Sequence, residues 1–212
     1  MIPLRAGRER SVLATKSMTA MLARLVVAAG VCGGNELGVL AGVRDAAASI
    51  SALSASATFT ATIGRVARIV ANAGHVYVIG KGIGLGVAQE AALKIKEASY
   101  VHAEAFAAGE LKHGAIALIE VGTPCLVFNP DSGFGADCSS SAQELRSRGG
   151  YTIGIGMDTG DGLSDVIAIA GHSPSNAIVQ VFVAQQIAYH AALLRNLDPD
   201  YPRNLAKSVT VK

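Results

Sequence analysis

The sequence predicts an α/β fold: a three-layer αβα sandwich on a parallel sheet, flavodoxin-like or Rossmann-like in architecture and preceded by N-terminal helices. Two observations carry this prediction. From residue 75 onward, short continuous apolar runs alternate with helical stretches, and strands that are apolar on both sides belong to parallel sheets covered on both faces. The first third, by contrast, shows helical periodicity and no strand pattern. Three segments follow: a helical segment over 1–74 that packs on the rest, an α/β core over 75–196, and a C-terminal tail over 197–212.

In the first segment, Met18, Met21, Leu22, Leu25, Val26 and Ala29 recur at helical spacing, with Thr15 as N-cap and Gly30 as stop. Leu37, Leu40, Val43, Ala47 and Ile50 mark a second helix, and Phe59, Ile63, Val66 and Val70 a third that ends near Gly74. Strands are expected at 75–79, 124–128, 151–155 and 166–169, with a fifth possible but not located. Helices are expected over about 87–99, 136–148 and 175–195. Pro199 and Pro202 keep the start of the tail irregular.

Composition excludes several functions. Half the residues are apolar and 16% charged, which rules out disorder and coiled coil. Lys and Arg total 18 against 16 Asp and Glu, and aromatics are 5%. That balance leaves no basic footprint for nucleic acid, no polybasic membrane patch and no base-stacking surface. No strongly apolar run reaches the ~18 residues of a membrane span. The best candidate, 177–194, carries Gln180, Gln185, Gln186 and His190 and reads as a buried helix. No apolar leader follows Met1-Ile2-Pro3-Leu4-Arg5, so no signal peptide is visible. Cys32, Cys125 and Cys138 are an odd set at unrelated spacings, which suits free thiols in a reducing, cytoplasmic compartment.

The turn Gly80-Lys81-Gly82-Ile83-Gly84-Leu85-Gly86 follows a strand and opens a helix, a context that suits an anion. Yet Leu85 or Val87 stands where the dinucleotide fingerprint needs its last glycine, and no Walker lysine pattern is present. A nicotinamide oxidoreductase is therefore excluded. A small-ligand crevice at the carboxyl ends of the strands is the expectation. Zinc deaminase chemistry falls as well: after His102-Ala103-Glu104 and Pro124-Cys125, Phe128 occupies the place of the second cysteine. Cys125 reads as a buried strand residue, and His75, His172 and His190 take no role.

Glu90, Lys94 and Glu97 share one face of a helix. Such a trio is commonly a solvated salt-bridge face. Here the neighbours Ala91, Ala92, Leu93, Ile95 and Ala98 leave little of the helix polar. A carboxylate beside an ammonium in a crevice is what proton transfer requires. On the residues alone the two readings are even. Glu110-Leu111-Lys112-His113-Gly114 is either a loop or a histidine poised to titrate near neutral pH.

Together, Gly82 to Leu118 and Pro202 to Val211 resemble the isomerase half of glucosamine-6-phosphate synthases (glutamine–fructose-6-phosphate aminotransferases, isomerizing). The near-continuous matches are the helix from Glu90 to Glu97, the stretch from His102 to Gly114 and the tail from Pro202 to Val211. Ala6-Gly7-Arg8-Glu9 with Val12-Leu13-Ala14-Thr15-Lys16 is similar to the opening of that family's second sugar-isomerase (SIS) subdomain. The resemblance covers nearly the whole chain.

It implies a SIS-type sandwich, hexose-6-phosphate binding and aldose–ketose isomerisation toward glucosamine 6-phosphate from fructose 6-phosphate. By resemblance, Glu97 moves the proton between C1 and C2, His113 assists ring opening from the neighbouring subunit, and Lys207 forms the imine. Glu90 and Lys94 shape the same proton network, while Val12 and Ala206 touch the sugar through backbone. No metal or cofactor is needed. A homodimer is implied, as is an active-site role for the tail. Departures are visible too. The family's N-terminal glutaminase and first SIS subdomain have no counterpart here, the Ser139-Ser140-Ser141 run lacks the glycine of the phosphate loop, and Ala14 stands where the family usually has Ser. The chain therefore looks like the second SIS subdomain of a longer enzyme, with a non-catalytic sugar-phosphate-binding regulatory module as the alternative.

Overall fold

The computed structural model describes residues 3–129, 132–156, 162–170 and 175–207. Three helices come first: α1 (Lys16–Cys32), α2 (Glu36–Ala55) and α3 (Ala57–Asn72). Then follow β1 (His75–Gly80), α4 (Ile83–Ser99), β2 (His102–Ala107), β3 (Pro124–Phe128), α5 (Gly135–Arg146), β4 (Tyr151–Ile155), β5 (Asp165–Ile167) and α6 (Asn176–Leu194). The five strands form one parallel sheet in the order β2-β1-β3-β4-β5. The α/β sandwich expected from the apolar runs is thus the observed fold.

Alternate strand residues point to opposite layers. Val76, Val78, Leu126, Phe128, Ile153 and Ile155 pack beneath α3, α4 and α6. Tyr77, Ile79, Cys125 and Val127 face Cys138, Ala142 and Leu145 of α5, with Leu111 and Ile119 completing that layer. Both faces of the sheet are covered, which is why its strands read as unbroken apolar runs. α6 is apolar around its circumference and buried along most of its length, as a central core helix should be.

The fifth strand is β2, in the His102-Ala103-Glu104 stretch. It is an edge strand whose His102 and Glu104 are exposed and whose inward residues include Ala103. Alanine has little strand preference, so the pattern is invisible without its partner β1. Gly30 is not a helix stop, since α1 continues to Cys32. A Cβ at Gly30 would lie 2.4 Å from a Val39 methyl, so this glycine lets α1 and α2 approach. α4 begins earlier than its periodicity suggests, because Gly84 and Gly86 weaken the helical signal of its first turn.

Among the described residues, two helices are long and apolar enough to cross a membrane, α2 and α6, although no strongly apolar run was expected. α6 is the core helix anticipated at 177–194. α2 is largely exposed, Leu37 most of all.

Candidate active site

The Glu90, Lys94 and Glu97 trio is not a solvated face. Lys94 is only 3% exposed, and its side chain lies between the two carboxylates, 2.5 Å from Glu97 Oε2 and 3.5 Å from Glu90 Oε1. The helical spacing puts all three on one face, and α6, packed along α4, removes that face from water. Burial raises the Glu90 carboxyl above the ordinary range. Lys94 opposes that rise and Glu97 adds to it. Glu90 Oε1 has no hydrogen-bond partner. The trio is therefore a partly dehydrated chain of acid, ammonium and acid, the type of group that can hold and pass a proton.

Its position corrects one expectation. The crevice was expected at the carboxyl ends of the strands, beside the glycine turn. That turn is filled: a Cβ at Gly82 would meet the Phe134 ring at 2.2 Å, and one at Gly80 would meet the Gly84 carbonyl. Lys81 is paired with Asp137 at 2.8 Å and lies over the Phe134 ring. The glycines serve close packing. Glu97 sits fourteen residues into α4, about 20 Å along its axis from Ile83, toward the opposite end of the sheet.

Two concavities flank the trio. One, of about 380 Å³, is lined by Lys94 together with Ser11, Thr15, Phe182, Gln185 and Asp200. The other, about 450 Å³ and more open, has Glu97 beside Tyr100, His102 and the tail residues Arg203, Asn204 and Leu205. The described part of the tail docks. Arg203 donates its backbone N–H to the Tyr100 hydroxyl at 2.6 Å, and its guanidinium stacks 4.3 Å from the centre of that ring. Val12 N donates to Asp200 O at 3.0 Å, and the Ser11 hydroxyl to Pro199 O at 3.4 Å.

Lys207 is held at the end of this tail. Its Nζ donates to Ser11 O at 2.9 Å and to Val12 O at 3.5 Å, and stands 3.7 Å from Glu9 Oε2. Ser11 therefore links the two lysines: its carbonyl receives Lys207, and it lines the cavity that Lys94 also lines. Val12 is drawn into the same cluster, and Ala206 is exposed beside Lys207. Tail residues 208–211 lie outside the described residues, as does His172.

His113 stands apart. It ends a short 3-10 turn, Leu111–His113, and is exposed. Among the described residues it makes no side-chain hydrogen bond or ion pair, and no contact joins it to the trio. Its neighbour Lys112 faces Glu144 at 3.8 Å. Cys125 is fully buried, and its thiol is pushed up to about 12 by burial, which suits the inert strand residue expected. Cys32, Cys125 and Cys138 are all free, and no metal-binding cluster occurs among the described residues.

Sequence reasoning assigned no role to Glu9. This carboxylate accepts from Thr15 N at 2.7 Å, from the Thr15 hydroxyl at 3.1 Å, and from the Ser17 hydroxyl. Thr15 itself provides no side-chain cap for α1, so Glu9 caps that helix from outside it. Burial would raise its pKa, but the hydrogen bonds from Ser17 and Thr15 outweigh burial and hold it at about 2, below its ordinary 4.5. A depressed carboxyl contributes stability that is present above its unfolded pKa and lost as pH falls through the folded one. Glu9→Gln is therefore expected to cost on the order of 2 kcal/mol near pH 7. The cost should shrink as pH falls from about 4.5 toward 2. Thermal melts of both proteins across pH 2–7 check this; a constant gap would overturn it.

Comparison with known proteins shows the family and the fold. The SIS domain family matches residues 69–195. The glutamine–fructose-6-phosphate aminotransferase [isomerizing] of Zymomonas mobilis is 38% identical over all of this chain, and that of Bacillus subtilis is 38% identical over 99% of it. The chain spans only 37% and 36% of their lengths. The C-terminal domain of glucosamine-fructose-6-phosphate aminotransferase from Francisella tularensis superposes with a TM-score of 0.81 at 27% identity, covering 93% of this chain and 58% of that one. Glucosamine-6-phosphate deaminase from Thermotoga maritima gives 0.73 at 25% identity, covering 95% and 59%. With the five-stranded parallel sandwich and a family match over more than half its length, the chain belongs to the SIS domain family.

Proposed function

We propose that this chain is the second SIS subdomain of an isomerizing glutamine–fructose-6-phosphate aminotransferase, and that it supplies the proton-transfer and imine-forming groups for converting fructose 6-phosphate to glucosamine 6-phosphate. The observation that carries the reading is the buried Lys94 bridging Glu90 and Glu97, with a second lysine secured nearby through Ser11. The chemistry follows from those groups. An amine condenses with the open-chain ketose carbonyl, releasing water; ammonia supplied by the glutaminase domain then displaces that amine from the imine carbon, which returns the lysine and leaves the product's nitrogen on C2, and the imine acidifies the C1 hydrogens. A single carboxylate can then carry a proton between C1 and C2. Lys207 is the amine in this reading, Glu97 the shuttle, and Glu90 and Lys94 the groups that set the charge of Glu97. Val12 and Ala206 offer backbone to the sugar. His113, remote from these groups within one chain, assists ring opening in the site of a neighbouring subunit. The remaining parts of the enzyme, a first SIS subdomain and a glutaminase domain, account for the relatives' extra length. The segments 1–74, 75–196 and 197–212 act as helical support, core and active-site tail. No metal or cofactor enters the reaction. Free thiols suit a cytoplasmic setting.

The test is reductive trapping. The chain is incubated with fructose 6-phosphate and borohydride, alone and with a separately expressed first SIS subdomain, and the adduct is located by peptide mass spectrometry. A hexitol phosphate adduct on Lys207, absent in Lys207→Arg, is expected. Adduct spread evenly over surface lysines, or none under either condition, would overturn the reading in favour of a non-catalytic binding module.

A homodimer belongs to the same proposal. Leu118 and Val121 are exposed next to the His113 segment, Val121 at 93%, an apolar surface suited to burial between subunits. Sedimentation at micromolar concentration should show a dimer that Val121→Asp weakens. A clean monomer would count against it.

A further inference from the structure

We infer that Glu9 is a positioning residue for the tail lysine. It pins Lys207 to the opening segment of the chain, so that an amine carried by the C-terminal tail is held on Ser11, a residue of the cavity that Lys94 also lines. The inference rests on the reading of Lys207 as the imine-forming amine.

Three observations carry it. First, Glu9 is the carboxylate that pairs with Lys207 among the described residues, at 3.7 Å. The other two partners of that ammonium, Ser11 O and Val12 O, are neutral carbonyls of the same segment. Second, Glu9 is itself immobilised. Its side chain is only 10% exposed, and Thr15 and Ser17 at the start of α1 donate to it. A carboxylate fixed by several donors is a far better anchor than a free surface glutamate, whose pairing would be offset by side-chain entropy. Third, Lys207 is half exposed, at 49%. It is anchored by its ammonium yet open to an incoming carbonyl.

The division of labour along the tail is clear from these contacts. Arg203 on Tyr100 and the backbone bond from Val12 to Asp200 set the path of the tail. They leave the long Lys207 side chain free to rotate. Glu9 removes that freedom by converting one face of the α1 cap into a charged socket. Pre-orientation of an amine toward its electrophile accelerates attack without altering its intrinsic chemistry.

The experiment compares wild-type chain with Glu9→Gln, Glu9→Asp and Ser17→Ala. Ser17→Ala removes the hydroxyl that donates to Glu9 Oε2, which loosens the socket but keeps the carboxylate charge facing Lys207. The first readout needs no substrate: acetylation of Lys207 by N-hydroxysuccinimide acetate at fixed pH, measured by peptide mass spectrometry relative to Lys112. Glu9→Gln is expected to speed acetylation about tenfold as the socket is lost, with Glu9→Asp and Ser17→Ala intermediate. The second readout is the Lys207 adduct rate with fructose 6-phosphate and borohydride, with the first SIS subdomain present, which Glu9→Gln should slow about tenfold. Equal acetylation in wild type and Glu9→Gln would overturn the inference. So would equal changes in Glu9→Gln and Ser17→Ala, which would mean that Glu9 acts only through the fold of α1. A wild-type chain that shows the acetylation difference but forms no adduct would instead overturn the reading of Lys207 as the imine former.

Discussion

Lys94→Met is expected to lower stability by about 3 kcal/mol, because it strips the one counter-charge paired, among the described residues, with two carboxylates in a poorly hydrated face. Methionine keeps most of the lysine's volume, so the loss is electrostatic rather than a cavity effect. For a chain of this length it corresponds to a fall in Tm of roughly 6–12 °C. The sign of its pH dependence follows from Glu90, whose carboxyl is raised by burial even with Lys94 opposing that rise. Without the ammonium it rises further. A carboxyl raised in the folded state binds protons more tightly there than when unfolded. It therefore costs stability as pH climbs above the unfolded value, and the cost is relieved in acid. Lys94→Met should thus lie closer to wild type at pH 5 than at pH 8. Adding Glu90→Gln and Glu97→Gln should recover much of the loss, since a buried ion network replaced throughout by uncharged groups is often near neutral. Melts of the three proteins at the two pH values decide the matter. A Lys94→Met protein that melts within about 2 °C of wild type at pH 8 would mean that the trio is effectively solvated.

The second large effect is catalytic. The 212-residue chain by itself should interconvert fructose 6-phosphate and glucose 6-phosphate at least about a hundredfold more slowly than the same chain supplemented with a first SIS subdomain. The groups proposed for imine formation and proton transfer are present, whereas the grip on the phosphate is proposed to come from the first SIS subdomain. Binding energy from a remote phosphate is used to orient the reacting carbons, so its loss lowers kcat as well as affinity. The obvious internal substitute, the turn at residues 80–86, is blocked by Phe134 and by the Lys81–Asp137 pair. A coupled assay with and without the added subdomain measures the difference. Robust turnover by the chain alone, abolished in Glu97→Gln, would show that the phosphate grip lies within these residues.

The parallel sandwich was legible because its core strands are buried on both sides. Val76 to Ile79, Leu126 to Phe128 and Ile153 to Ile155 announce themselves as unbroken apolar runs. The edge strand β2 was not legible, since pairing with β1 alone leaves His102 and Glu104 in solvent and its inward positions are alanines. In the site, helical geometry placed Glu90, Lys94 and Glu97 on one face from spacing alone. Whether that face was solvated or dry depended on α6, some eighty residues later, and no local pattern carries that information. Glu9 and Lys207 show the same limit more sharply. They are nearly two hundred residues apart, each an ordinary charged residue in its own neighbourhood. Their pairing exists because the tail returns across Tyr100 and Val12 to the start of α1. By itself the sequence determined which segments become helix or core strand and which charges share a helix face, because these are set by periods of two and 3.6 residues. Tertiary structure alone decided which of those charges are dry, toward which end of the sheet the Glu90, Lys94 and Glu97 trio lies, and which carboxylate meets the tail lysine, because dehydration and ion pairing depend on what packs against a residue rather than on what adjoins it in the chain.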